Sequence, residues 1–226
     1  MKTLVKFGLA LAAATAIGST AAKADLITVT IQEDAGPVLL AGTGSGVASI
    51  LGATTDFNIA GTATDNIFSG NPNLLASAPI AVGSTGSGTH TLTIIVTATN
   101  LTSFVGANGM LSSFRLDPVT TTPIPTATVQ EFTLFNGVAT GATATFNQLG
   151  QLISGSSGPT LTAENMSAPF SVTEEYIITT TGNGQFNAGI NTSAVPGPIV
   201  GAGLPGLIAA CGGLLAFARR RRQNLA

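Results

Sequence analysis

The 226-residue chain has one cysteine, no tryptophan, 28 glycines and 11 phenylalanines, and 8% of its residues are charged, against about 25% in an ordinary globular domain. This composition excludes a coiled coil, a basic nucleic-acid binder and a charge-driven disordered tail. A lone cysteine excludes an internal disulfide framework and a cysteine-based zinc site. The net charge of −2 hides an uneven layout. Lys2, Lys6 and Lys23 lie at the start and Arg219, Arg220, Arg221 and Arg222 at the end, while between Asp25 and Pro198 ten acids face only Arg115, a net −9 with His90 neutral.

The chain opens on Lys2 and Lys6, continues as an apolar run from Phe7 to Ile17, and passes through small polar residues to Ala22-Lys23-Ala24. A basic start, a short apolar run and an A-x-A site, in that order, predict a secretory signal peptide over residues 1–24, cut after Ala24. The apolar run is too short to span a bilayer of about 30 Å as a helix.

Residues 25–194 read as one acidic, lysine-free, β-rich domain. Ile27, Val29 and Ile31 alternate with Thr28, Thr30 and Gln32. Leu92, Ile94, Val96 and Ala98 alternate with Thr91, Thr93, Ile95, Thr97 and Thr99. Period-two alternation with threonine on the other face predicts strands of sheets with one face buried and one wet. Thr126–Phe135 and Phe170–Thr180 are further β-branched and aromatic runs. Breaks are expected at Gly42 to Gly46, Gly83 to Gly88, Gly106 to Gly109 and Gly155 to Pro159, and a hairpin at Gly182-Asn183-Gly184. The expected fold is all-β, an antiparallel sandwich of jelly-roll or immunoglobulin-like order. Pro118 to Thr126 reads as a linker or as a long loop across the sandwich.

Reactive groups in this region are few. His90 opens the strongest strand, where a half-exposed strand-end residue is the expectation. No second histidine exists for a zinc site, and no Gly-x-Ser-x-Gly elbow or phosphate-binding glycine loop is present. Glu33-Asp34, Asp56, Asp65 and Glu174-Glu175 are the acids that would serve a calcium site or a glycosidase pair, yet they fit no EF-hand loop. Adjacent acids on a strand point to opposite faces, so Glu174 and Glu175 should not share one site. Most of these acids are expected on a solvated surface. Catalytic residues, metal ligands and cofactors are therefore not expected.

After Val195-Pro196-Gly197-Pro198 comes a run of twenty uncharged residues, Ile199 to Ala218, and then Arg219 to Arg222. Twenty apolar residues suffice to cross a bilayer, and the arginines place the C-terminus on the cytoplasmic side. Cys211 follows Ile208-Ala209-Ala210 as in a lipobox, but at the wrong end of the chain, and reads as a small apolar residue of the membrane segment. A Pro-x-Pro motif, an apolar helix and a terminal arginine cluster together resemble the PEP-CTERM sorting signal, here over residues 195–226 in a Pro-Gly-Pro variant. Gly197 departs from the commonest form, which has glutamate there. The resemblance implies processing by an exosortase, a membrane-embedded transpeptidase-like enzyme, in a Gram-negative host that makes exopolysaccharide.

These readings combine into one expectation. The chain is an exported precursor, held in the membrane by residues 199–218 until processed, and then a cell-surface or biofilm-matrix structural protein that is no enzyme. Its expected partners are the secretion machinery, an exosortase-like enzyme and exopolysaccharide, and not nucleic acid. A calcium-dependent adhesin or glycan-binding surface domain is the alternative, with an acidic-residue hydrolase behind it.

Overall fold

The period-two alternation sets which side of each strand turns inward. In the computed structural model, Ile27, Val29 and Ile31 are buried on one face of the first strand, and Leu92, Ile94, Val96 and Ala98 on one face of the sixth. The structure describes residues 26–65, 73–102, 109–118, 126–149, 155–163, 166–167 and 169–195. The signal peptide with Ala22 and Ala24, the motif residues Pro196, Gly197 and Pro198, the run 199–218 and Arg219 to Arg222 lie outside them, while Val195 ends the last strand. No helix among the described residues is long and apolar enough to cross a membrane.

The elements are β1 (Leu26–Glu33), β2 (Leu39–Ser45), β3 (Val47–Ala53), β4 (Phe57–Thr64), β5 (Asn73–Ser84), β6 (Thr89–Leu101), β7 (Gly109–Pro118), β8 (Thr126–Phe135), β9 (Val138–Leu149), β10 (Gly155–Thr162), β11 (Phe170–Thr181) and β12 (Gly184–Val195). They form two six-stranded antiparallel sheets, ordered β2-β1-β6-β11-β8-β9 and β10-β7-β12-β5-β4-β3. Strands from before and after residues 119–125 contribute to both sheets and are interleaved in the second, where β7 lies between β10 and β12. The inner faces enclose one continuous apolar core, with Phe57, Phe114, Phe186 and Tyr176 among its largest members. Each fully buried Leu, Ile or Phe there is worth roughly 1.5–3 kcal/mol of transfer free energy.

Three turn expectations differ from the structure. Gly182-Asn183 does not close a hairpin: β11 and β12 belong to different sheets, and the turn carries the chain from one to the other. Gly42 to Ser45 is part of β2, and Gly46 alone, with a φ of 73°, makes the corner to β3. Gly42 and Gly44 are needed because a Cβ at either would strike the backbone carbonyls of Ser49 and Val47, so glycine lets the two sheets converge at this rim. Gly155 to Pro159 likewise falls within β10. A turn that the sequence reading overlooked is Asn136-Gly137, joining β8 to β9 with φ of 50° and 77°, the left-handed pair that a type I′ hairpin requires.

The edge strands are irregular. The β1–β2 register slips between Val29 and Thr30, the β8–β9 register slips beside Gly141, whose φ is 83°, and the β10–β7 register slips around Pro159. The fourth edge strand, β3, lies beneath the glycine face of β2.

Candidate functional site

Two groups of acids stand out, one at an end of the sandwich and one inside it. The first forms where the end of β1, the β3–β4 turn and the start of β6 meet. His90 Nδ1 lies 3.2 Å from Asp34 Oδ2, 3.4 Å from Asp56 Oδ2 and 3.9 Å from Glu33 Oε1. Asp34 turns the chain after β1 at a φ of 47°, and it is pinned to β6 twice. Its amide donates to the Thr91 carbonyl at 2.7 Å, and its Oδ1 accepts from the Thr91 amide at 2.8 Å. Glu33 Oε2 accepts from the amides of Thr55 and Asp56 at 2.8 and 3.3 Å.

These contacts set the charges. The hydrogen bond to Asp34 raises the His90 pKa against a smaller opposing effect of desolvation, and the Asp56 charge adds to the rise. The Thr91 amide, and then His90, lower that of Asp34. Desolvation pushes Glu33 upward, but the Thr54 hydroxyl and the Asp56 and Thr55 amides outweigh it, and its pKa falls. Asp56 is raised, first by desolvation and then by its contact with Glu33. The three acids together favour the protonated form of His90. Glu33, Asp34 and His90 bring ligand atoms within 4.8 Å of one another. An imidazole nitrogen in that set suits zinc better than calcium, which takes oxygen ligands. A protonated His90 occupies the same charge role by itself.

The second group is sealed between the sheets. Glu174 of β11 and Glu131 of β8 are fully buried. Glu174 accepts hydrogen bonds from Ser77 Oγ of β5 and, at 3.1 Å, from Thr192 Oγ1 of β12. Tyr176 reaches across from β11 to the opposite sheet. Its hydroxyl donates to the Ser77 carbonyl at 2.8 Å and accepts from the Ile190 amide at 2.9 Å. Ser77 and Ile190 are register partners beside the slip at Pro79, where β5 has no N–H to offer. The tyrosine oxygen thus sits within the β5–β12 ladder, in place of a direct amide–carbonyl bond, and couples the two sheets. Desolvation raises Glu131 to about 9 and Glu174 to about 8, partly offset at Glu131 by the nearby Gly189 and Arg115 amides and at Glu174 by the Ser77 hydroxyl. Both carboxyls are neutral at pH 7.

The structure therefore divides the acids that the sequence grouped together. Glu33, Asp34 and Asp56 converge on His90, which is half-exposed as a strand-end residue should be. Asp65 is buried elsewhere, after β4 and beside Gly46. Glu174 points inward and Glu175 outward, as strand alternation requires. Of the acids expected on a solvated surface, Asp65 and Glu174 are buried, and so is Glu131, which lies outside that set. Glu131 and Tyr176 went unrecognised as a pair, although both fall in phase with buried residues: Val129, Glu131 and Thr133 on β8, Glu174, Tyr176 and Ile178 on β11.

Outside the core, the first sheet presents rows of threonine. Thr97 and Thr173 hydroxyls lie 3.0 Å apart, Thr91 and Thr179 3.1 Å, and Thr89 and Thr181 2.8 Å. Thr28 and Thr128 continue these rows by register. Among the described outward residues of β6, β8 and β11, Glu175 is the one acid and no base is present.

Comparison with known proteins adds little to this geometry. No protein-family model matches the chain, and no curated protein matches it. A similar solved structure is the crystal structure of the enzymatically active domain of bacteriophage CBA120 tailspike protein 4. It shows 10% sequence identity and a TM-score of 0.36 over 74% of this chain, which spans 19% of that chain. That likeness is too distant to carry an argument.

Proposed function

We propose that the protein is an exported, non-enzymatic surface or matrix component. In this reading residues 25–194 form the working domain, and residues 195–226 are a PEP-CTERM-type sorting signal. The observation that carries the reading is the nearly uncharged outer face of the first sheet, where rows of threonine alternate with Ile95, Ile177, Phe132 and Leu134, on a domain whose net charge is otherwise acidic. Such a face is suited to a hydrated polymer matrix, since threonine offers a donor, an acceptor and a methyl group without fixed charge. The acids support the same reading. The two with strongly raised pKa are sealed from solvent, where no substrate reaches them, and the exposed Asp34 and the half-buried Glu33 and Asp56 are bound up with His90.

Of the two sandwich orders, a jelly roll is favoured by the way β5, β6, β7 and β8 alternate between sheets, as do β10, β11 and β12. The secretion machinery carries the chain out. Residues 199–218 hold it in the membrane, and Arg219, Arg220, Arg221 and Arg222 keep the C-terminus inside. An exosortase-like enzyme then acts near Val195, Pro196, Gly197 and Pro198.

Intact-mass analysis of protein from the envelope and medium of the native host tests the proposal. The expected product lacks residues 1–24 and everything beyond the proline motif. Peptides containing Arg219 to Arg222 still joined to the domain would instead make it a single-pass anchor, and retention in the cytoplasm would overturn export.

A further inference from the structure

The outer face of the second sheet is concave where the first sheet's is rowed with threonine. Outward residues of β3, β4, β5 and β12 enclose a groove of about 740 Å³, closed at one end by Thr85 and the Asn183-Gly184 turn. We propose that this groove binds a neutral polysaccharide chain. The inference rests on reading the sheet faces as matrix-binding surfaces, and it names a site and a ligand class for one of them.

Three observations carry it. First, no residue lining the groove is charged, although the region from Asp25 to Pro198 carries a net −9. A neutral cleft on an acidic body admits neutral polymers, while the surrounding field repels polyanions. Second, beside Ser84 and Thr85 at one end, the polar side chains of the lining are the four carboxamides of Asn58, Asn183, Gln185 and Asn187. Each offers two donors and an acceptor, the complement of paired sugar hydroxyls. Third, the floor is low. Asn58, Gly83 and Gln185 lie in register across β4, β5 and β12, so the backbones carrying the two amides stand about 9–10 Å apart at strand spacing, and the Gln185 side chain leans over Gly83, its Nε2 3.8 Å from where a Cβ would stand. The next row, Ala60, Ala81 and Asn187, is equally low. Leu51, 76% exposed, forms the far wall and supplies apolar surface for a sugar face.

No aromatic platform projects into this cleft, so recognition proceeds by hydrogen bonding and shape rather than by ring stacking. Each contact is then weak. A polymer that offers many equivalent registers gains affinity from repetition, which is the form in which matrix polysaccharide occurs.

Affinity electrophoresis of the full chain in mild detergent tests the site, with gels containing dextran or galactomannan as neutral polymers and alginate as a polyanion. At least one neutral polymer should retard the protein, and alginate should not. Gly83→Leu fills the floor. A Cβ there meets nothing closer than 3.7 Å, so the variant should fold with an unchanged melting temperature. It should weaken retardation by about tenfold or more, equivalent to roughly 1.4 kcal/mol. Gln185→Ala with Asn187→Ala should weaken it too, without touching the backbone. Leu161→Ser, exposed on the opposite rim, should leave it unchanged. Failure of both neutral polymers to retard the protein overturns the proposal, as does full retardation of the groove variants or stronger retardation by alginate. The variants leave the tail intact, so correct processing with no glycan binding would sink this inference alone. Glycan binding without processing would sink the sorting reading alone.

Discussion

Glu174 lies between the sheets with hydroxyls of Ser77 and Thr192 donating to it, whereas Glu33 lies at the sandwich end with backbone amides of Thr55 and Asp56 donating to it. Both carboxyls accept hydrogen bonds, yet one is raised to about 8 and the other is lowered. The difference is desolvation. Inside the core, burial dominates and two hydroxyl donors do not repay it. At the sandwich end, hydrogen bonds outweigh a modest burial. Carboxyls of the same type thus favour the neutral form in one region and the charged form in the other, and Glu174 and Glu33 should contribute to the pH dependence of stability with opposite sign.

The largest expected effect comes from the core. Glu131 and Glu174 ionise near 4.5 when unfolded and near 9 and 8 when folded. The folded state binds more protons throughout that window, so stability is highest below it and falls as pH rises. Each group contributes up to about 1.4 kcal/mol per pH unit, several kcal/mol together. Thermal melts should show a midpoint that drops steadily from about pH 5 to about pH 8. Glu131→Gln combined with Glu174→Gln should flatten that slope and raise the midpoint at the upper end. A flat wild-type profile would show that the core carboxyls do not hold their protons.

Next in size is Tyr176→Phe. Removing the hydroxyl leaves the Ser77 carbonyl and the Ile190 amide facing each other across a gap that neither can close. Two orphaned buried backbone groups should cost about 2–5 kcal/mol, read as a lower urea midpoint at unchanged m-value. A loss below about 1 kcal/mol would mean that the ladder closes without the tyrosine.

The smallest effect belongs to the sandwich end. His90, its pKa raised, adds stability that is fully present below its ordinary value of 6.5 and disappears as pH climbs through the raised one. Glu33 and Asp34, lowered, add stability that vanishes in acid instead. His90→Gln should remove the first dependence and leave the core slope intact. Millimolar calcium or EDTA should shift the melting temperature by less than the roughly 2–4 °C that 1 kcal/mol produces in a domain near this size. A larger calcium shift, abolished by His90→Gln, would turn this cluster into a metal site and revive the adhesin alternative.

Much of this organisation is legible in the sequence because it depends on local alternation. The inward sets of β1 and β6, the exposed end position of His90 and the opposite directions of Glu174 and Glu175 all follow from period two. Glu131 is legible on the same ground, since it is in phase with Val129 and Thr133. Partner choice is a different matter. Gly182-Asn183 has the length and chemistry of a hairpin, and nothing local distinguishes a turn within one sheet from a crossing between two. The convergence of Glu33, Asp34, Asp56 and His90 joins residues far apart in sequence through strand pairing, which alternation does not encode. The same holds for Tyr176 and the Ser77–Ile190 pair.

The irregular edges bear on how such a molecule survives at high local concentration. A strand on the rim of a sheet exposes unpaired amides and carbonyls, a template for another chain to extend. Here the slips in β2, β9 and β10, with Pro159 in the last, interrupt that template, and β3 is covered by the glycine face of β2. A protein crowded among copies of itself in a matrix could otherwise polymerise strand to strand into cross-β fibres. The glycines and proline that weaken individual strands are therefore also what break up the edges on which another strand would pair.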